Sequence, residues 1–268
     1  MVTANLASNP YVQDILAQPR ALQETIAALA STHDLRALAK QLASGKLRRM
    51  VLTGMGSSFH ALHPLMLTLI GRGLSAQMIE TSELIHYAPK LLEPQTLVVV
   101  ASQSGRSAEI IQLLELGRGQ TPLISVSNST DSPLAEQSDV AILTHAGTEF
   151  SVSCKTYTTA LAALAWLGDV LTETPPQATL AALQSLPEAA EQYLAQWTTH
   201  VETLRNRLAG IQTLTYVGRG PSLAAVGTAA LTTKESAHFP AEGMSSAAFR
   251  HGPLEMVNPR QFVLVYTG

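Results

Sequence analysis

The sequence contains very little cysteine and little charge. Cys154 is its only cysteine, so no disulfide can form within the chain, as is typical of a protein of the reducing cytoplasm. Charged residues make up 14%, the net charge is −3, and no basic patch with interleaved aromatics occurs, so nucleic acid is not an expected partner. No stretch reaches the roughly 18 consecutive apolar residues of a membrane span. Residues 1–20 lack the basic and apolar regions of a secretory signal. We therefore expect a cytoplasmic protein that binds neither nucleic acid nor membranes.

The sequence does have a regular alternation of strand-like and helix-like segments. Its length of 268 residues predicts two units. Apolar residues at helical spacing predict helix over 10–44, ended by Gly45. Strands are predicted in "KLRRMVLTG", "AQMIETS", "TLVVVAS", "TPLISVSNST" and "DVAILTHAG". Helical segments between them predict an α/β fold with a parallel sheet. The predicted divisions are a helical segment (1–45), a first unit (46–174), a linker helix (175–210) and the first part of a second unit (211–268).

The second unit repeats the plan of the first. "YVGRGPSLAAVG" parallels "VLTGMGSSFHAL", and "QFVLVYTG" parallels "TLVVVASQSG", which indicates an internal duplication. The repeat covers about half of a unit, so the second sheet is expected to be incomplete and to expose a strand edge.

Two serine-containing loops follow predicted strands. "SQSGRS" follows "TLVVVA", and "GMGSS" follows the first strand. Ligands of open parallel sheets bind beyond the carboxyl ends of the strands, where helix N-termini offer free N–H groups to anions. Serines at loop-to-helix junctions are also common as helix caps. The occurrence of two such loops on one sheet favours a phosphate site.

These motifs resemble the SIS (sugar isomerase) domain family, most closely the isomerase half of glucosamine-6-phosphate synthase. The matching segments are "GMGSS", "SQSGRSAEI", "HAGTEFSVSCKTYTT" and "GRGPSLAAVGTAALTTKESAHFPAEGMSSAAFRHGPLEMV". The resemblance implies tandem three-layer α/β/α units with five-stranded parallel sheets. It also implies a substrate that is an amino- or N-linked hexose 6-phosphate, and no cofactor or metal.

The resemblance also implies roles for individual residues. Glu235 would be the base that carries a proton between C1 and C2 of the sugar, and His251 would open the ring. In the synthase this histidine comes from the neighbouring subunit, which implies a homodimer with shared active sites. The phosphate would be held by Ser57, Ser58, Ser102, Gln103, Ser104 and Ser107, and the pocket wall would include Ser153 and Cys154.

Two departures from the synthase pattern restrict the expected reaction. Thr232 replaces a lysine of the synthase, and Val2 follows Met1 where a glutamine-hydrolysing domain has its nucleophilic cysteine. Glutamine-dependent synthesis is therefore not expected. An isomerase, deaminase or deglycase of 6-phosphosugars is expected instead.

Two alternatives remain at this stage. One is a non-catalytic phosphosugar sensor, although residues 1–44 are too short and not basic enough for the helix-turn-helix that sensors usually carry. The other is an inactive fragment.

Other residues are interpreted structurally. His60 and His63 have the spacing of half a metal site but no third ligand nearby in sequence, so they are assigned a structural role. Cys154 has no partner base in the sequence and is interpreted as a wall residue. Lys155 is interpreted as structural.

Overall fold

The computed structural model describes residues 6–31, 35–117 and 119–267. Its larger sheet is five-stranded and entirely parallel, with the order β2-β1-β3-β4-β5. The smaller sheet is three-stranded, parallel, and ordered β7-β6-β8. The predicted α/β class, with one five-stranded parallel sheet and a second smaller one, is confirmed. The strands are β1 (Arg49–Gly54), β2 (Ala76–Glu80), β3 (Thr96–Ala101), β4 (Leu123–Ser127), β5 (Val140–Leu143), β6 (Thr213–Gly218), β7 (Ala241–Ser245) and β8 (Gln261–Val265).

Helices cover both faces of the larger sheet. The α-helices are α1 (Pro10–Leu16), α2 (Gln18–Ser31), α3 (Arg36–Ala43), α4 (Gly56–Gly71), α5 (Thr81–Tyr87), α6 (Ala108–Gly117), α7 (Pro133–Gln137), α8 (Lys155–Leu171), α9 (Gln177–Gln184), α10 (Leu186–Leu194), α11 (Trp197–Arg207), α12 (Leu223–Ala237) and α13 (Ser246–Arg250). Among these residues, no helix has the length and apolar character that a membrane crossing needs.

The core of the larger sheet follows from the period of two along a strand. On β1, Met50 and Leu52 pack on the side of α2, α3, α4 and α8, whereas Val51 packs on the side of α5 and α6. Every residue of β3 and β4 is buried, as expected for central strands covered on both faces.

The smaller sheet repeats the arrangement of the larger one. Its order β7-β6-β8 matches β2-β1-β3, as the predicted duplication requires. Helix α12 packs against α4, so the two units meet along these helices. The approach is close at Gly227, where a Cβ atom would lie 2.4 Å from Nδ1 of His60.

Two predicted helices are divided in the structure. The linker helix predicted over 175–210 is three helices, α9, α10 and α11, and Gln196, between the last two, leaves helical geometry with φ −107° and ψ 16°. Helix α10 packs against α2, and neither α10 nor α11 contains a fully buried residue. The helix expected over 10–44 ends first at Leu16 and again at Ser31, and residues 32–34 lie outside the described residues. The domain boundaries proposed from sequence remain predictions.

Candidate functional site

The first loop of the candidate site joins β1 to α4. Gly54 ends the strand where a side chain would not fit, because a Cβ atom would lie 2.7 Å from the Ala101 carbonyl oxygen. Gly56 begins the helix with φ +54°, which favours glycine. Met55, at the helix N-cap, makes no capping side-chain bond. Ser57 is buried and Ser58 half-buried directly behind this helix end. The first-turn N–H groups are therefore placed as an anion-binding terminus.

The second loop, residues 102–107, joins β3 to α6 and is shaped by its own serines. The Ser102 hydroxyl accepts from the Gly105 N–H at 3.2 Å, and the Ser104 hydroxyl accepts from the Arg106 N–H at 3.3 Å. Ser107 caps α6 by accepting from the Ile110 N–H at 3.4 Å. The capping interpretation thus describes part of what these serines do. The Ser102 and Ser104 hydroxyls keep their own protons, which are available to a ligand oxygen, whereas the Ser107 hydroxyl donates to the Glu109 carboxylate.

These loops border a cavity of about 510 Å³ between the two units. It brings together four of the predicted phosphate and pocket residues with Glu235: Ser57, Ser58, Gln103 and Ser153. Among described residues, the rest of the lining is Met55, Gly56, Glu149, Ser151, Val152 and Leu231. Ser102 lies in a narrow adjoining gap beside Ser58, and Ser104 lines a neighbouring depression beside Glu149. Ser102, Ser104, Ser107 and Cys154 are not part of this lining.

Glu149 organises the wall of the cavity and is the site residue that our sequence reasoning missed. Its carboxylate accepts hydrogen bonds from the Cys154 N–H at 2.9 Å, the Thr156 N–H at 3.1 Å and the Thr156 hydroxyl. The Ser153 hydroxyl lies 3.0 Å from the Thr156 hydroxyl. Because Thr156 donates its only hydroxyl proton to Glu149, Ser153 donates to Thr156 and can only accept from a ligand. The one available signal was its place inside "HAGTEFSVSCKTYTT".

A buried ion pair fixes the N-terminal helix to the same wall. The Lys155 ammonium donates to the Asp14 carboxylate at 2.6 Å, and the Phe150 N–H donates to its other oxygen at 2.6 Å. Tyr11, three residues before Asp14 on helix α1, places its hydroxyl beside that of Ser236. Burial raises the pKa of Tyr11, and the nearby Cys154, Glu149 and Glu235 add to this. Helix α1 therefore lies close to the cavity wall, although none of its residues is in the described lining.

Cys154 begins helix α8 and is half-buried. Burial and the adjacent Glu149 carboxylate raise the pKa of its thiol to about 12. Since the thiolate is the nucleophilic form, Cys154 is unsuited to nucleophilic catalysis at neutral pH. The place of Cys154 in the pocket wall stays a prediction, because it is not part of the described lining.

Of the two candidate catalytic residues, Glu235 lines the cavity and His251 does not. Glu235 lies near the end of α12, is exposed, and lines the cavity. His251 is the exposed residue that ends helix α13, and its N–H donates to the Ala248 carbonyl at 3.0 Å. It is absent from the described lining of the cavity.

His60 and His63 lie at the α4–α12 contact rather than at the cavity. Burial lowers the pKa of His60, helped by Lys234 and His63. Burial also lowers the pKa of His63, opposed by a hydrogen bond with the Gly220 backbone. Within the described parts of the chain, no group of three His, Cys, Asp or Glu side chains is placed to hold a metal ion.

Comparisons with known proteins give relatives over nearly the whole chain. The SIS domain family model matches residues 42–168. The chain is 29% identical over 260 residues to isomerizing glutamine–fructose-6-phosphate aminotransferase of Sulfurisphaera tokodaii, covering 95% of this chain and 43% of that protein. The chain thus spans less than half the length of this curated relative.

Solved structures resemble the chain as well. A candidate phosphosugar isomerase from Silicibacter pomeroyi is 30% identical, with a TM-score of 0.81, covering 97% of this chain and 78% of that one. The C-terminal domain of glucosamine-fructose-6-phosphate aminotransferase from Francisella tularensis is 23% identical, with a TM-score of 0.79 over 96% of this chain and 75% of that one. The second comparison is a likeness of fold.

Proposed function

Because this chain belongs to the SIS domain family and is related to the isomerase domain of glutamine–fructose-6-phosphate aminotransferase, we propose that it is an enzyme of the aldose/ketose isomerase type. The proposed substrate is an amino- or N-linked hexose 6-phosphate. The proposed reaction is isomerisation, deamination or deglycation. A cytoplasmic location is part of the same proposal.

The observation that carries this proposal is that one cavity is lined both by the N-terminus of α4, which suits an anion, and by the Glu235 carboxylate. Ser57 and Ser58 stand at the N-terminus of α4, and Glu235 lines the opposite unit. The hydroxyls and N–H groups at this helix end would hold the phosphate. Ser102, Ser104 and Ser107 would extend the same cradle along the β3 loop, which borders the cavity through Gln103.

The two carboxylates of the cavity suit different tasks. Glu149 is engaged by three donors, whereas Glu235 is exposed at the cavity and its position is not fixed by such a network. Glu235 would take the proton from C2 of the open-chain aldose while O1 gains a proton, which gives an enediol. It would then deliver a proton to C1 while the O2 hydroxyl loses its proton, which moves the carbonyl from C1 to C2. Because C1 is reduced as C2 is oxidised, no external oxidant or reductant is needed, and the proton held by Glu235 can exchange with solvent between the two steps.

The proposal includes a homodimer that shares its active sites. His251 is exposed and lies outside the described lining of the cavity, which is consistent with a histidine that serves a neighbouring subunit. Sedimentation at micromolar concentration should then show a dimer, and a 28.5 kDa monomer alone would contradict this part.

Exchange of carbon-bound hydrogen tests the reaction class directly. The protein would be incubated in deuterated water with a panel of hexose 6-phosphates and followed by NMR. Deuterium entering at C1 or C2 would support the proposal even where net conversion is small. Phosphosugar binding without any exchange across the panel would favour a binding-only sensor module and would count against an enzyme.

A further inference from the structure

The Glu149 carboxylate has no positively charged partner. Its three donors, the N–H groups of Cys154 and Thr156 and the Thr156 hydroxyl, are all uncharged. Lys155 is next to these donors in sequence, but its ammonium is bonded to Asp14 at 2.6 Å. Among the described residues, Glu149 forms no ion pair, although it is half-buried.

The surroundings of Glu149 offer no other cation to balance its charge. Within the described lining, the cavity contains no lysine, arginine or histidine. Arg106 lines the depression on the other side of Glu149, but its guanidinium is bonded to the Asp131 carbonyl at 2.6 Å and to its carboxylate at 3.2 Å. His145, in the same depression, is exposed. The N–H groups that bind this carboxylate lie at the N-terminus of α8, whose positive dipole end compensates part of its charge. A bound cation facing the carboxylate from the cavity would add the full opposite charge that the described lining lacks.

The cavity is therefore polarised between its two ends. The end at α4 presents N–H groups and hydroxyl protons, which suit an anion. The wall at Glu149 presents hydrogen-bond acceptors. These are the carboxylate oxygens of Glu149 and the hydroxyl oxygen of Ser153, which donates its own proton to Thr156. A ligand that carries a phosphate at one end and a positively charged group with several N–H donors at the other would match both ends of the cavity.

We infer that Glu149 is a specificity-determining residue that binds a protonated amine of the substrate, so that the cavity prefers amino sugar phosphates to their hydroxyl analogues. This inference rests on the function proposed above. An ammonium group offers three donors and a full charge, whereas a sugar hydroxyl offers one donor and no charge.

Calorimetry with two ligands that differ only in this group tests the inference. Glucosamine 6-phosphate and glucose 6-phosphate would be titrated into the wild-type protein at a pH where the amine is protonated. We expect the amino ligand to bind about tenfold more tightly or better, as for one charge-assisted hydrogen bond. Raising the pH until the amine loses its proton should abolish the difference.

The variant Glu149→Gln keeps the shape of the side chain and removes its charge. It should bind both ligands about equally, so that the ratio of the two affinities falls to about one. Glu188→Gln, which removes a charge from the exposed surface of α10, should keep the full preference. Circular dichroism would confirm that the variants are folded, and the pH series on the wild type needs no variant.

The outcomes separate this inference from the proposed function. A wild-type protein that binds both phosphosugars equally, or a Glu149→Gln protein that keeps the preference, overturns the role of Glu149 alone. A wild-type protein that binds neither ligand overturns the proposed function and the inference with it.

Discussion

The Lys155 ammonium lies 2.6 Å from the Asp14 carboxylate, and both side chains are buried. The pair joins helix α1 to the start of α8, which follows the segment that forms the cavity wall. The ion pair thus fixes the N-terminal helix next to the wall of the candidate site, although Asp14 and Lys155 are far apart in sequence.

Breaking this pair should strongly destabilise the protein. Lys155→Met leaves Asp14 buried without its counter-charge, with only the Phe150 N–H as a donor, and we expect the free energy of unfolding to fall by about 3–5 kcal/mol. Urea unfolding would measure the change. Combining it with Asp14→Leu should recover much of the loss, because an apolar pair of similar volume replaces the charges. As a control, Arg20→Gln removes an exposed ion pair with Glu24 and should have no measurable effect. If Lys155→Met lowered the free energy of unfolding as little as Arg20→Gln, the buried ion pair would not be a major source of stability.

Removing the basicity of Glu235 should slow the reaction without removing the ligand. Glu235→Gln keeps the size of the side chain, and loss of a general base typically lowers the rate by about 10²–10⁴. Binding of the phosphosugar should survive, since the phosphate is assigned to the loops after β1 and β3. Steady-state turnover and calorimetry would be compared for the two proteins. Near-normal turnover would reject Glu235 as the base, and joint loss of binding and turnover would indicate a structural role.

Much of this arrangement could be predicted from the sequence, because it depends on local patterns. The apolar runs of β1 and β3 identified the central strands, and the residues after them identified the loops. Since parallel strands end at one edge of a sheet, Ser58 and Gln103 were expected to meet, and both line the cavity.

The rest depends on contacts that no local pattern encodes. In the sequence, Glu149 cannot be distinguished from other loop glutamates. Its role depends on the hydrogen bonds that Cys154 and Thr156 donate to it in the folded protein. The position of Tyr11 beside Ser236 depends on how two distant helices pack. The break at Gln196 was missed because the sequence on both sides favours helix.

The glycine of the second loop should resist substitution. Gly105 has φ +61°, and a Cβ atom there would lie 2.5 Å from the Ser132 hydroxyl oxygen. We expect Gly105→Ala to cost about 1–3 kcal/mol of stability and to weaken phosphosugar binding. Gly71→Ala is the matched control, because no atom lies within 4 Å of its added Cβ. Equal thermal stability of the two variants would show that the loop tolerates the side chain.

Stability should fall in mildly acidic solution because of His60 and His63. Burial lowers the pKa of both in the folded protein, whereas unfolded histidine has a pKa of about 6.5. Above that pH both states are neutral and no difference arises. As the pH falls through about 6.5, the unfolded chain binds protons that the folded protein does not, so the free energy of unfolding decreases.

Urea midpoints measured between pH 7.5 and 5.5 would follow this loss. The double variant His60→Gln, His63→Gln should show a shallower pH dependence than the wild type. His86→Gln, at an exposed position, should keep the wild-type slope. A double variant with an unchanged slope would assign the acid sensitivity to other groups.

Mixing two inactive variants tests whether the sites are shared between subunits. If Glu235 of one subunit works with His251 of the other, a Glu235→Gln/His251→Ala heterodimer contains one intact site. Equal amounts of the two variants, after subunit exchange, should recover about a quarter of the wild-type activity. Sites contained within one chain would recover none.

The central claim is that the cavity recognises the phosphate of a sugar phosphate. Isothermal titration of the wild-type protein with glucosamine 6-phosphate and with glucosamine tests it most directly, since the two ligands differ only in that group. The phosphorylated sugar should bind at least about tenfold more tightly, because the loop hydroxyls and helix N–H groups donate to its oxygens. Equal affinity for the two sugars would contradict the account.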